Sequence, residues 1–192
     1  MIDGAKALRK AIRNVFGAAP VQRCVRHKER NVIDHLPERD RPAVKQRLRR
    51  AWALDDHARA LDQLRQLADE LERSNPGAAG SLREGIEETL TLTRLGVRGN
   101  LKRTLESTNP CESMIEIVRR TQRNVKRWSS GEMALRWTAA GMLEAQRQFR
   151  KIIGYRDLAT LVIAIEREHD HRRHAVDAAG TSTREAAIVA AT

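Results

Sequence analysis

The sequence predicts a mainly α-helical protein, and three observations carry that expectation. Aromatic residues make up only 3 % of the 192 residues, and β-branched runs are scarce, so a large sheet has little to build on. Ala, Leu, Arg and Glu dominate instead, a composition that favours helices. Apolar residues also recur at three- and four-residue spacing over most of the chain.

Taken in order, Gly4 to Phe16 carries Ala5, Leu8, Ile12, Val15 and Phe16 on one helical stripe, with Gly17 as the stop just past its end. Pro20 to Cys24 is the one segment that reads as a short strand, and Val25 to Leu36 reads as a helix closed by Pro37. From Arg41 the pattern is helical again. Leu61, Leu64, Leu67 or Ala68, and Leu71 line a helix that ends before the SNPGAAG break at 74–80. Leu82, Ile86 and Leu90 suggest one further helix that frays at Gly96 and Gly99. The helix after Pro110 is expected to bury Cys111, Ile115 and Val118, with Met114 beside them. Another begins near Ser130 and aligns Leu135, Thr138, Met142, Ala145, Phe149 and Ile152, with Arg136, Arg147, Arg150 and Lys151 opposite. Gly154 breaks it. Asp157 to Glu168 forms a last short helix around Leu158, Leu161, Val162 and Ile165, and the polar, alanine-rich remainder is expected to fray.

Charge narrows the partners. Thirty-six Lys and Arg against 25 Asp and Glu give a net charge of +11 and a pI near 10.7. Such an excess favours a polyanion, because each neutralised phosphate releases counterions. Nucleic acid is the first reading, and an anionic lipid surface or RNA bound by a helical basic protein is another. No apolar run reaches the roughly 18 residues of a membrane span, and the N-terminus lacks the apolar core of a signal peptide. Two cysteines are too few for a disulfide framework, so a reducing cytoplasm is the expected setting.

Chemistry concentrates between Ser107 and Trp137. Asn109-Pro110-Cys111-Glu112 fits an N-cap asparagine, proline at N1 and glutamate at N3. In that reading Glu112 only satisfies a free N–H and the helix dipole; in the other, a lone carboxylate beside cations serves a metal-dependent enzyme acting on DNA phosphates. Arg119, Arg120, Arg123, Asn124, Lys126, Arg127 and Trp128 follow, spanning the end of one helix and the start of the next. Arginines on a helix are often a solvated face. A run that continues across a turn with a tryptophan in it also suits a nucleic-acid track, where the indole stacks on an unpaired base. Trp137 reads as core. Cys24-Val25-Arg26-His27 has the spacing of half a zinc site without a second pair, since His169, His171 and His174 lie in the tail. Cys24 is therefore expected in the core and His27 in a hydrogen bond. Asp3, before glycine and a helix, reads as an N-cap.

Several strings together resemble the Mutator-like transposases of bacterial insertion sequences: IDGAKALRKAIRNVFG, VQRCVRHKERNVIDHLP, STNPCES, RRTQRNVKRW and EMALRW…EAQRQFRKIIGYRDL. They occur in the family's order and cover most of residues 2–160. The resemblance implies a ribonuclease-H-like α/β core with a DDE triad, in which Asp3 matches the second aspartate, Glu112 the final glutamate, and Cys24 and His27 the family's Cys-x-x-His motif. It implies Mg²⁺ or Mn²⁺ at Asp3 and Glu112, two ions roughly 4 Å apart in a complete site, and DNA at element ends and target as substrate. The first aspartate and the first three strands have no counterpart here. The expectation is thus the C-terminal part of a transposase, from a disrupted element or a late start codon, lacking strand transfer alone. Residues 1–40 would be the core remnant, 41–105 a helical insertion, 106–168 the C-terminal core helices and 169–192 the tail. A non-catalytic DNA-binding remnant that regulates or pairs with full-length transposase is the alternative, and a homo-oligomer or full-length transposase is the expected protein partner.

Overall fold

The computed structural model describes residues 1–17 and 19–170, and helices supply nearly all of their regular structure. In chain order these are α1 (Lys6–Phe16), α2 (Val25–Asp34), α3 (Arg41–Ala53), α4 (His57–Ser74) and α5 (Pro76–Arg83), then a 3₁₀ turn at Glu87–Leu90. They continue as α6 (Thr91–Arg94), α7 (Gly99–Leu105), α8 (Asn109–Thr121) and α9 (Gly131–Gln148), a 3₁₀ turn at Tyr155–Asp157, and α10 over 158–170. The mainly helical expectation holds.

The expected strand over Pro20 to Cys24 reduces to one parallel bridge between Ile2 and Arg23. Ile2 donates its N–H to the Gln22 carbonyl (3.0 Å) and accepts the Cys24 N–H (2.8 Å), while Arg23 donates its own N–H to the Glu88 carbonyl (2.9 Å).

The main core is built on the α4 leucine stripe. Leu61, Leu64, Leu67, Ala68 and Leu71 are buried against Val25 and Val32 of α2, Leu48 and Trp52 of α3, and Ala78, Ala79 and Leu82 of α5. The helix is fixed at its start by Asp56, whose carboxylate accepts the Arg59 N–H at 2.9 Å. The expected end of that helix holds, since α4 stops at Ser74 and Asn75 is non-helical, but the rest of SNPGAAG is helical again: Pro76 occupies the first turn of α5, where its missing N–H has no intrahelical partner to lose. The single helix expected through Leu82, Ile86 and Leu90 is instead interrupted at Gly85, which holds φ +65°. A smaller cluster joins Leu92, Val97 and Leu101 to Leu158 and Leu161 of α10.

Three apolar faces are largely uncovered, and that of α8 departs from its expected burial. The stripe on α1 is not buried: Leu8, Val15 and Phe16 are exposed, Val15 at 73 %. In α8 only Val118 is buried, and Cys111 and Ile115 face solvent. In α9 the buried residues are Gly141 and Ala145, while Leu135, Met142 and Phe149 are exposed. Helix α9 packs on α8 through the small residue at 141, close to Val118, so a strip of small residues rather than the large stripe forms the contact. Trp137, expected in the core, is 38 % exposed. The expected fraying tail, with His171 and His174, lies outside the described residues.

Candidate functional site

Four side chains from two distant parts of the sequence meet at the mouth of α8. Cys24 and His27 lie at the start of α2; Thr108 is the residue before α8, and Glu112 sits in its first turn. Thr108 donates its hydroxyl to Glu112 Oε1 at 2.7 Å. The Thr108 hydroxyl oxygen also lies 3.4 Å from Cys24 Sγ and 3.3 Å from His27 Nδ1. The Thr108 N–H also donates to Cys24 Sγ at 3.4 Å, and His27 Nε2 stands 3.6 Å from Glu112 Oε1.

Burial pushes the Cys24 thiol up, but the hydrogen bonds from the Thr108 hydroxyl, the backbone and His27 outweigh it and leave the thiol below its ordinary value. Cys24 is fully buried, as expected, and His27 is hydrogen-bonded, as expected. Glu112 does not follow the capping-box reading. Helix α8 already includes Asn109, its N-cap position falls to Thr108, and the carboxylate receives a side-chain hydroxyl instead of a backbone N–H. Its side chain remains 53 % exposed.

Asp3 lies on the segment paired with residues 22–24, one residue from Ile2. Its Oδ1 accepts the Ala5 N–H at 3.0 Å, but the N-cap of α1 is Ala5, with no side-chain cap, so Asp3 is not the expected N-cap; its side chain is exposed. Gly4 follows at φ +106°, and a Cβ built on it would fall 2.4 Å from the Arg23 guanidinium. Only glycine suits that backbone conformation and that close approach together. Among the described residues, no group of three or more His, Cys, Asp and Glu gathers where a metal ion could be held.

Sequence reasoning missed an ion cluster in which the two cations are buried and the carboxylate is half exposed. Arg23 donates to both Glu84 oxygens (2.9 and 2.7 Å), and Lys28, 0 % exposed, donates to the Ser81 and Glu84 carbonyls (2.6 Å each) and to Glu84 Oε2 (3.1 Å). The Arg23 hydrogen bonds, with help from Lys28, hold the Glu84 carboxyl down at about 2. Burial, with Arg23 beside it, pulls the Lys28 ammonium below its ordinary value against the opposing carboxylates. Nothing in sequence spacing links residues 28 and 84. Thr108 did leave a signal: a hydroxyl four residues before Glu112, at helical spacing.

The basic run is exposed throughout. Arg119 and Arg120 close α8, Arg123 and Asn124 lie in the turn, and Lys126, Arg127 and Trp128 follow in non-helical chain. The run ends before α9, which starts at Gly131 behind the Ser130 cap, whose hydroxyl accepts the Met133 N–H at 3.1 Å. Arg120 donates to Gln148 at 3.3 Å; among the described residues none of the five cations from Arg119 to Arg127 forms an ion pair. Trp128 is exposed, as expected. No described helix is long and apolar enough to cross a membrane.

Comparison with known proteins identifies relatives of this chain. The chain is 32 % identical over 171 residues to the transposase for insertion sequence element ISRM5 of Rhizobium meliloti, a match covering 87 % of this chain and 40 % of that protein. It is 27 % identical over 117 residues to the transposase for insertion sequence element IS6120 of Mycolicibacterium smegmatis, covering 61 % of this chain and 36 % of that protein. The chain thus spans well under half the length of either relative. No solved structure matches. The family model described as "Transposase, Mutator family" matches residues 1–151, a stretch that takes in Asp3, the Cys24–His27 pair, Glu112 and the whole basic run, and the chain belongs to that family.

Proposed function

We propose that this chain contributes to a DDE-type centre that cleaves and joins DNA strands, with Asp3 and Glu112 as the metal-holding carboxylates and 119–128 as the DNA track. One observation carries the reading. A hydrogen-bonded path leads from the residue beside Asp3 to Glu112: Ile2 carbonyl to the Cys24 N–H (2.8 Å), Cys24 Sγ to Thr108 (3.4 Å), and Thr108 to Glu112 (2.7 Å). The parallel bridge between Ile2 and Arg23 supports a vestige of a ribonuclease-H-like sheet on this side of the molecule.

The residues fit a hard divalent cation. Both carboxylates are exposed, and each has one oxygen engaged by the protein, Asp3 Oδ1 by the Ala5 N–H and Glu112 Oε1 by the Thr108 hydroxyl. Mg²⁺ is commonly held by one or two carboxylates with water and substrate phosphates completing the shell, so the lack of a three-residue cage among the described residues does not oppose the fit. When bound, Mg²⁺ or Mn²⁺ supplies activation of the attacking oxygen and charge stabilisation of the leaving one. The chain's own residues hold the strand. Arg119, Arg120, Arg123, Lys126 and Arg127 present unpaired cations to phosphates, and Trp128 offers a face on which an unpaired base stacks, a contact of about 1–3 kcal/mol. Holding the phosphodiester in line is the larger part of such catalysis.

A second reading, DNA occupancy without cleavage, draws on the exposed basic run, which can hold phosphates with or without a metal; such a protein would sit on element DNA or pair with a full-length transposase. Binding to forked DNA, measured with and without Mn²⁺ over a salt series, separates the two. In the catalytic reading Mn²⁺ tightens binding of the wild type and not of Asp3→Asn or Glu112→Gln, which bind normally in EDTA. Replacing Arg123, Lys126 and Arg127 with alanine lowers affinity and flattens the salt slope by about 0.9 per lost duplex phosphate contact. Equal Mn²⁺ dependence in wild type and both carboxylate variants defeats the catalytic reading.

A further inference from the structure

We infer that Thr108 is a positioning residue for Glu112, and that Cys24 and His27 act through its hydroxyl as a support for that carboxylate. The inference rests on the metal-holding role proposed for Glu112.

A hydroxyl has one proton to give and two lone pairs to receive with. Three side-chain atoms reach Thr108 Oγ1: Glu112 Oε1 at 2.7 Å, His27 Nδ1 at 3.3 Å and Cys24 Sγ at 3.4 Å. The proton goes to the carboxylate, because an O–H bond to an ionised oxygen is the shorter and stronger one. One lone pair then faces His27 Nδ1, which donates in the tautomer protonated there, while Cys24 Sγ, 3.4 Å from the same hydroxyl and accepting the Thr108 N–H at 3.4 Å, holds the threonine from the buried side. The tautomer is thereby assigned from the network. In that tautomer the Nε2 edge, 3.6 Å from Glu112 Oε1, carries no proton and adds no hydrogen bond to the carboxylate, so His27 acts on it through the hydroxyl alone.

The support is anchored from the buried side. Cys24 has no exposed surface and Thr108 is nearly buried, while Glu112 is half exposed. One carboxylate oxygen is thus gripped from within the fold, and the rest of the group faces solvent, where a cation and phosphate would approach. Partners that hold a metal-ligating carboxylate in this way typically change metal affinity by about 10- to 100-fold when removed.

Mn²⁺ titration of the full chain, followed by the loss of free-ion electron paramagnetic resonance signal, tests this, with Thr108→Ser, Thr108→Val and Glu112→Gln alongside the wild type. Thr108→Ser keeps the hydroxyl and binds within about twofold of wild type, whereas Thr108→Val weakens binding roughly tenfold with helical content and thermal midpoint retained. Glu112→Gln loses the site. Should valine prevent folding, Thr108→Ala removes the same hydroxyl with less bulk and carries the same expectation. Wild-type affinity in Thr108→Val or Thr108→Ala, with binding lost in Glu112→Gln, overturns the positioning role and leaves the proposed function standing. Wild-type affinity in Glu112→Gln, or no Mn²⁺ uptake by the wild type at millimolar ion, overturns both.

Discussion

Replacing Lys28 with methionine should unfold this protein more readily than any surface substitution of the same kind. The ammonium has no exposed surface and donates to the Ser81 and Glu84 carbonyls at 2.6 Å each and to Glu84 Oε2 at 3.1 Å. Both carbonyls belong to the end of α5, which closes at Arg83, so Lys28 serves as a cationic C-cap on groups that the helix itself leaves without partners. Methionine fills a similar volume and offers no donor. Two acceptors left unsatisfied cost about 1–3 kcal/mol each. Against this stands relief of the ammonium's own burial and of its repulsion from Arg23, the two causes that pull its pKa down. The balance is a net loss of about 2–4 kcal/mol, less than the gross terms because removing a buried charge recovers its desolvation. For a chain of this size that corresponds to a fall in Tm on the order of 10 °C. Urea unfolding followed by circular dichroism at the helix band measures it, with an unchanged slope showing that the same surface unfolds. Lys45→Met is the control: Lys45 is exposed and stands 3.7 Å from Glu29, and its loss should stay within about 0.5 kcal/mol. Lys28→Met with stability equal to that of the control refutes the reasoning.

The same cluster sets an acid limb. Glu84 titrates at about 2 in the fold against 4.5 ordinarily, through the Arg23 hydrogen bonds first. Its stabilisation is therefore complete above the unfolded value and is lost as pH falls from about 4.5 to about 2. Because the side chain is half exposed, solvent screening keeps the size modest. Glu84→Gln should be less stable than wild type at neutral pH, with the gap narrowing over that window; a constant gap contradicts the assignment. Two glycine substitutions should move stability in opposite directions. A Cβ at Gly141 would fall 2.9 Å from the Val118 Cα, whereas at Gly80, within α5, it would meet nothing within 4 Å. Gly80→Ala should gain about 0.5–1 kcal/mol from helix propensity. At Gly141 backbone strain of about 1–3 kcal/mol exceeds that gain, so Gly141→Ala lowers Tm. A rise at both positions would mean that α8 and α9 adjust freely.

Legibility in the sequence followed the range of the interactions. The α4 leucines, the Ser130 cap and the stop at Gly17 were readable because each depends on neighbours within about one turn. A stripe, however, states a period and not what covers it. The large apolar residues of α1 and α9 obey helical spacing and are exposed, while the actual α8–α9 contact uses Gly141 and Ala145, which carry too little apolar weight to register as a face. Lys28 looked like one more solvated cation in a basic chain. Its burial depends on carbonyls 53 and 56 positions away, which no local pattern encodes. Of the candidate site, Cys24, His27 and Glu112 were singled out from the sequence, and the structure brings these three together around Thr108. The hydroxyl joining them was not singled out, since a threonine before Asn-Pro reads as ordinary helix-entry chemistry.

The arrangement also explains why residues 22–24 matter more than so short a segment suggests. In extended chain successive side chains point to opposite sides. Arg23 reaches the Glu84 cluster, whereas Cys24, next in line, reaches Thr108 and through it Glu112. The backbone between them pairs with Ile2, beside Asp3, and the Arg23 guanidinium lies against Gly4 on the far side of that aspartate. One three-residue stretch therefore ties the Asp3 segment, the start of α8 and the buried ion pair together. It follows that weakening the buried cluster by Lys28→Met should loosen the seating of both carboxylates even in molecules that remain folded. The Mn²⁺ affinity of that variant, measured well below its unfolding midpoint, should fall along with its stability; full affinity in a destabilised but folded chain would show that the cluster and the carboxylate face are independent.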